Sequence, residues 1–170
     1  MLSLRRNSTL GWILIIVIAS MTSCTSSKTA GSLSTQTSDP LIGSWKLNVE
    51  KSTYSPGPPP KSGTITYEPA GAGIKVTTEG VDAEGTPTAT YYTANWDVKD
   101  YPITGSQTAD TVSLNRIDEY TTERTDKKDG KVVGTLRRVV SQDGRTLTIT
   151  TKSTNAKGQA VNNVIVYEKQ

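Results

Sequence analysis

Residues 129–168, DGKVVGTLRRVVSQDGRTLTITTKSTNAKGQAVNNVIVYE, decide the architecture. Asp129-Gly130, Asp143-Gly144 and Lys157-Gly158 recur in it every 14 residues, each between runs rich in Val, Ile and Thr. Asp-Gly supplies the positive φ angles of a tight hairpin turn, and β-branched side chains pack well on a pleated sheet. About 10 strand residues followed by about 4 turn residues, repeated, describe an antiparallel meander. The predicted closing strands are 131–140, 145–152 and 163–168.

The same reading runs backwards along the chain. Residues 43–49 place Trp45, Leu47 and Val49 on one face by period-2 alternation, and residues 64–68 and 74–78 pair Ile65 with Tyr67 and Ile74 with Val76. Residues 88–96 alternate Thr88, Thr90, Tyr92, Ala94 and Trp96, and strands are predicted at 112–117 and 119–125. Asp82-Ala-Glu-Gly85 is a further turn, while Ser55-Pro-Gly-Pro-Pro-Pro60 is an extended connector that can be neither helix nor central strand. The expected fold is all-β, an up-and-down meander of eight to ten strands closing into a barrel, because closure removes exposed edges. A two-sheet β-sandwich is the alternative.

The N-terminus reads differently. Arg5 and Arg6 precede an apolar run from Leu10 to Ser20, followed by Met21-Thr22-Ser23-Cys24. A run of about 11 residues is too short to span a bilayer and suits a signal peptide. A small residue before Cys24, the only Cys among 170 residues, resembles the bacterial lipobox, which implies acylation of Cys24. Met21 stands where that motif prefers Leu. The expected organisation is a signal peptide over 1–23, a lipid-anchored flexible linker over 24–40 rich in Ser, Thr and Gly, and the barrel over 41–170. The implied address is the bacterial cell envelope, at the outer membrane by resemblance to the sorting rule for Thr25, with the protein a monomer held to the membrane by its lipid.

Composition excludes several functions. Losing Arg5 and Arg6 takes 19 basic residues to 17 against 16 acidic, a net of +1, which leaves no electrostatic footprint for nucleic acid. With no His there is no Ser-His-Asp or Cys-His arrangement, and no metal or cofactor is expected. Asp126 to Asp129 and Asp82 to Glu84 read as turn residues. Asp118 and Glu119 read as neighbours on opposite faces of a strand. A carboxylate-based hydrolase therefore ranks third among the functions, and the chain reads as a non-enzyme.

Gly43-Ser-Trp45 at the head of a β-meander resembles the lipocalin and fatty-acid-binding-protein group of barrels. Residues 100–105, 111–117 and 128–134 are similar to uncharacterised exported bacterial proteins described as lipocalin-like. The resemblance implies that Gly43 and Trp45 plug the closed end of the barrel, with an Arg from a late strand, Arg137 or Arg138, against the indole. Two features depart from that group. Residues 50–61 are Pro-rich where its lid helices stand, and Tyr167 on the last strand lacks an Arg two residues before it. The function implied is binding of a small hydrophobic or amphipathic ligand, with Arg138, Tyr92, Trp96, Tyr120 and Arg116 as candidate ligand contacts. The alternative is a filled, ligand-free barrel acting as a structural or protein-interaction module. Arg138 shares a face with Val132, Leu136 and Val140; which face of that strand is inward is open, since both are apolar at its ends.

Overall fold

Alternating residues of small β-branched character, punctuated by turn formers, need a surface to cover, and here they cover one another. The computed structural model describes residues 39–155 and 158–170, and the described strands are ten: β1 (Gly43–Thr53), β2 (Ser62–Ala70), β3 (Gly73–Val81), β4 (Pro87–Asn95), β5 (Tyr101–Thr104), β6 (Thr111–Arg116), β7 (Thr121–Lys128), β8 (Lys131–Val140), β9 (Thr146–Thr154) and β10 (Ala160–Lys169). Each pairs antiparallel with the next, and β1 pairs with both β2 and β10, closing a ten-stranded barrel. That closure excludes the sandwich. The expected signal peptide, Cys24 and the expected linker up to residue 38 lie outside the described residues.

The hairpin turns at Asp82–Gly85, Asp129-Gly130 and Asp143-Gly144 form where the sequence placed them. Asp129 (φ 49°) and Gly130 (φ 73°) both take positive φ, the pattern of a type I′ turn. Asp82 Oδ1 accepts from the N–H groups of Gly85 and Thr86 at 2.8 and 2.7 Å, closing the β3–β4 turn. Where the β1–β10 ladder skips between Asn48 and Thr53, a side chain replaces the backbone. Ser52 Oγ donates to the Asn48 carbonyl at 2.7 Å and accepts from Val166 N–H at 2.9 Å.

Three sequence expectations are corrected. Residues 118–120 form the β6–β7 turn, so Asp118 and Glu119 are not strand neighbours, and β7 starts at Thr121. Asp126 is not a turn residue but part of β7. β5 was not expected. It is four residues long, carries Pro102 and shares two register pairs with each neighbour, too short a run for alternation to register. The phase of β8 also becomes clear. A bulge opposite Asp126 and Lys127 leaves Val133 unmatched, so Gly134, Leu136, Arg138 and Val140 face inward while Val132 is 61% exposed.

One end of the barrel is closed by side chains packed around Trp45. Trp45 is fully buried (0% exposed) with Leu41, Ile74, Val112, Leu114, Val140 and Leu147, and its Nε1–H donates to the Leu41 carbonyl at 2.8 Å. The cation over the indole is neither Arg137 nor Arg138. Lys169 Nζ sits 4.9 Å from the ring centroid and donates to the Pro40 carbonyl at 3.1 Å. Arg137 points outward and pairs with Glu123 at 2.9 Å.

Exposed ion pairs hold the barrel from outside, one at the opposite end and one on the β1–β10 seam. Asp110 accepts from Lys128 Nζ at 2.6 Å and from the Asp129 N–H at 3.0 Å, tying the β5–β6 loop to the β7–β8 turn. Those contacts hold its carboxyl below the ordinary 3.8. Lys51, then Asn48, does the same to Glu168, below its ordinary 4.5. A carboxylate with a lowered folded pKa adds stability above its unfolded pKa and loses it as pH falls through the folded value. The thermal midpoint is therefore expected to be level from about pH 7 to 5 and to drop below about pH 4. Asp110→Asn should shallow that drop, as should added salt, because both pairs are exposed.

Candidate ligand site in the barrel lumen

Period-2 alternation and antiparallel register together aim the polar lumen residues. Tyr67 on β2, Val76 on β3 and Tyr92 on β4 stand in one register row, and all three face inward. From the far wall, Arg138 on β8 reaches Tyr92, its Nη2 donating to the Tyr92 hydroxyl at 2.9 Å. Its guanidinium also lies 5.8 Å from the Tyr67 ring centroid. Arg138 is 2% exposed, and its Nε and Nη1 have no hydrogen-bond partner.

One row nearer the mouth, β7 places Arg124 and Asp126 on the same inward face. The Arg124 Nη2 donates to Asp126 Oδ2 at 2.7 Å, and Nε lies 2.6 Å from Oδ1. Both side chains are nearly buried, at 14% and 13% exposed. Burial opposes the Arg124 charge, but Tyr92 and the Asp126 carboxylate outweigh it and raise its pKa. The Arg124 guanidinium lies 5.4 Å from the Tyr92 ring centroid. Burial pushes the Tyr67 hydroxyl up to about 12, against the pull of the Arg138 charge, so it is a neutral phenol at neutral pH. Burial likewise raises Tyr167.

These side chains border two chambers. The inner one is about 150 Å³ and is lined by Ile65, Tyr67, Val76, Thr78, Thr90, Arg124, Leu136, Arg138, Ile149, Ile165 and Tyr167. The outer one, about 280 Å³, runs toward the mouth past Asp126, Gly134, Ser153 and Val161. Arg124 and Leu136 line both and stand at the boundary. The charged groups lining the chambers are Arg124, Arg138 and Asp126, a net of one positive charge. No cluster of His, Cys, Asp and Glu able to hold a metal occurs among the described residues. A groove of about 380 Å³ on the outer wall runs beside the Arg137–Glu123 pair, whose charges already satisfy each other.

The structure brings Arg138 and Tyr92 together. It takes Trp96, Tyr120 and Arg116 elsewhere, to the closed end. There Arg116 stacks on Trp96 at 4.4 Å and pairs with Asp39, and Tyr120 packs against the closed-end core. Asp39 and Pro40, counted with the linker by sequence, thus touch the barrel. Sequence reasoning missed Tyr67, Asp126 and Tyr167 as lumen groups. The signal for Asp126 was its place two residues after Arg124 and four after Thr122, ahead of the turn at Asp129-Gly130.

No family model and no curated protein matches the chain. Among solved structures, the crystal structure of zebrafish ileal bile acid-binding protein complexed with cholic acid is similar, with a TM-score of 0.46 and 12% identity, over 77% of this chain and 99% of that one.

Proposed function

We propose that this chain is a binding module of the bacterial cell envelope, held to the membrane by a lipid on Cys24, whose lumen takes a small amphipathic molecule by its anionic head group. One observation carries the ligand reading: Arg138 is buried in the wall of the inner chamber with Nε and Nη1 unpartnered. Burying a charge without a counter-charge costs several kcal/mol, so a fold that keeps one there has a use for it. An oxyanion accepting from those N–H groups would pair the charge and cancel the lumen's net +1. The apolar part would rest on Ile65, Val76, Ile149 and Ile165. Binding rather than catalysis suits a lumen whose carboxylate is already committed to an arginine, in a chain without His. The anchor rests on the basic pair, the short apolar run and the small residue before Cys24.

Native mass spectrometry of the full chain in an uncharged detergent tests the ligand reading. A co-purifying acidic adduct, lost on denaturation, is the expected result. A clean mass that no added anionic amphiphile shifts would favour the filled, ligand-free module. Labelled palmitate should enter the chain in growing bacteria, and Cys24→Ala should abolish the label.

A further inference from the structure

We infer that the inner chamber selects a carboxylate borne on a single aromatic ring, in preference to a fatty acid. The inference rests on the proposed anion-binding role of Arg138 and narrows it.

Volume sets the first limit. A buried apolar cavity of about 150 Å³ is the size that accepts benzene in other proteins. The inner chamber has the same volume, about 150 Å³, and it adjoins the outer chamber at Arg124 and Leu136, which line both. A long alkyl chain headed by Arg138 would have to thread that boundary. A ring is complete within the chamber.

Charge sets the second. Two guanidinium groups against one carboxylate leave a single positive charge for the ligand to neutralise. A phosphate monoester carries about −1.5 to −2 near neutrality and would leave an excess negative charge beside Asp126. A carboxylate carries −1 and matches.

Wall chemistry separates a ring from an alkyl chain of equal volume. Tyr67 and Tyr167 offer offset or edge-on aromatic contacts, and Arg124 and Arg138 offer guanidinium faces to a π-system. An alkyl tail makes neither contact, and it loses rotational freedom when confined.

The test is isothermal titration of the full chain in lipid nanodiscs with benzoate, hexanoate, palmitate and phenyl phosphate. Benzoate is expected to bind one per chain, about tenfold tighter than hexanoate, the scale of one aromatic or cation–π contact. Phenyl phosphate should bind more weakly than benzoate. Hexanoate or palmitate binding as tightly as benzoate, or phenyl phosphate binding more tightly, overturns this inference and leaves the anion-binding role standing. If none of the four binds, both fall. Arg138→Met, checked for the wild-type circular dichroism spectrum, should weaken benzoate by tenfold or more. Unchanged benzoate affinity in that variant would place the ligand elsewhere and overturn both the inference and the anion-binding role of Arg138.

Discussion

Arg138→Met should make the ligand-free protein more stable while removing anion binding. The wild-type side chain donates to the Tyr92 hydroxyl, lies against Tyr67, and leaves Nε and Nη1 without hydrogen-bond partners at 2% exposure. Methionine keeps the unbranched stem, fills irregular space and carries no charge to desolvate. Replacing buried ionic groups by apolar residues of similar volume is commonly neutral to stabilising by about 1–4 kcal/mol. Tyr92 loses its donor, which offsets about 1 kcal/mol of that gain. A net stabilisation of about 1–3 kcal/mol should appear as a higher urea midpoint with unchanged slope. Lower stability in the variant would mean that the charge has a partner that the geometry does not reveal. A residue whose removal strengthens the fold and ends binding is retained for binding.

Trp45→Ala should have the largest effect on stability. The indole is fully buried at the closed end, and no neighbour can collapse into its place without dragging β1 from β2 and β10. Truncating a buried Trp to Ala costs about 3–5 kcal/mol in transfer and cavity terms. The Leu41 carbonyl also loses its buried donor, worth about 1–3 kcal/mol. Against a total of about 5–15 kcal/mol for an ordinary domain, such a loss brings the barrel close to unfolding at 37 °C. Trp45→Phe separates the two contributions. It keeps most of the volume, loses the hydrogen bond, and should cost no more than about half as much by urea denaturation. A midpoint shift in Trp45→Ala below that of Trp45→Phe would overturn the plug role.

The contrast between these positions reflects what alternation encodes. Trp45 reads as core from sequence because its neighbours of like phase, Leu47 and Val49, are apolar and the strand has one consistent face. Arg138 does not. Val132, Val133, Val139 and Val140 make β8 apolar on both faces, and the bulge at Val133 shifts the phase partway along the strand. A bulge depends on pairing with the neighbouring strand, so nothing local announces it. The same holds for Lys169 over the indole, whose position follows from the register Trp45↔Lys169, the seam that closes the barrel.

Local chemistry alone determined the longer elements, though not β5, which is four residues long and carries Pro102. The Gly-bearing turns at Asp82–Gly85, Asp129-Gly130 and Asp143-Gly144 need positive φ that only a few residues adopt cheaply, and the β-branched runs between them can do little but pair. That was enough for an all-β meander and for Trp45 on the apolar face of its strand. Residues 54–61 form no helix, as their prolines require. Tertiary structure decided which side chains share the lumen. Tyr67, Tyr92, Arg124, Asp126, Arg138 and Tyr167 come from five strands spread over 100 positions, and only barrel closure brings them together. It also sent Arg116, Trp96 and Tyr120 to the closed end, though by composition they were equal candidates for the site. Alternation along one strand records whether a residue points in or out, whereas its depth along the barrel axis depends on strand register, set jointly by every neighbouring pair.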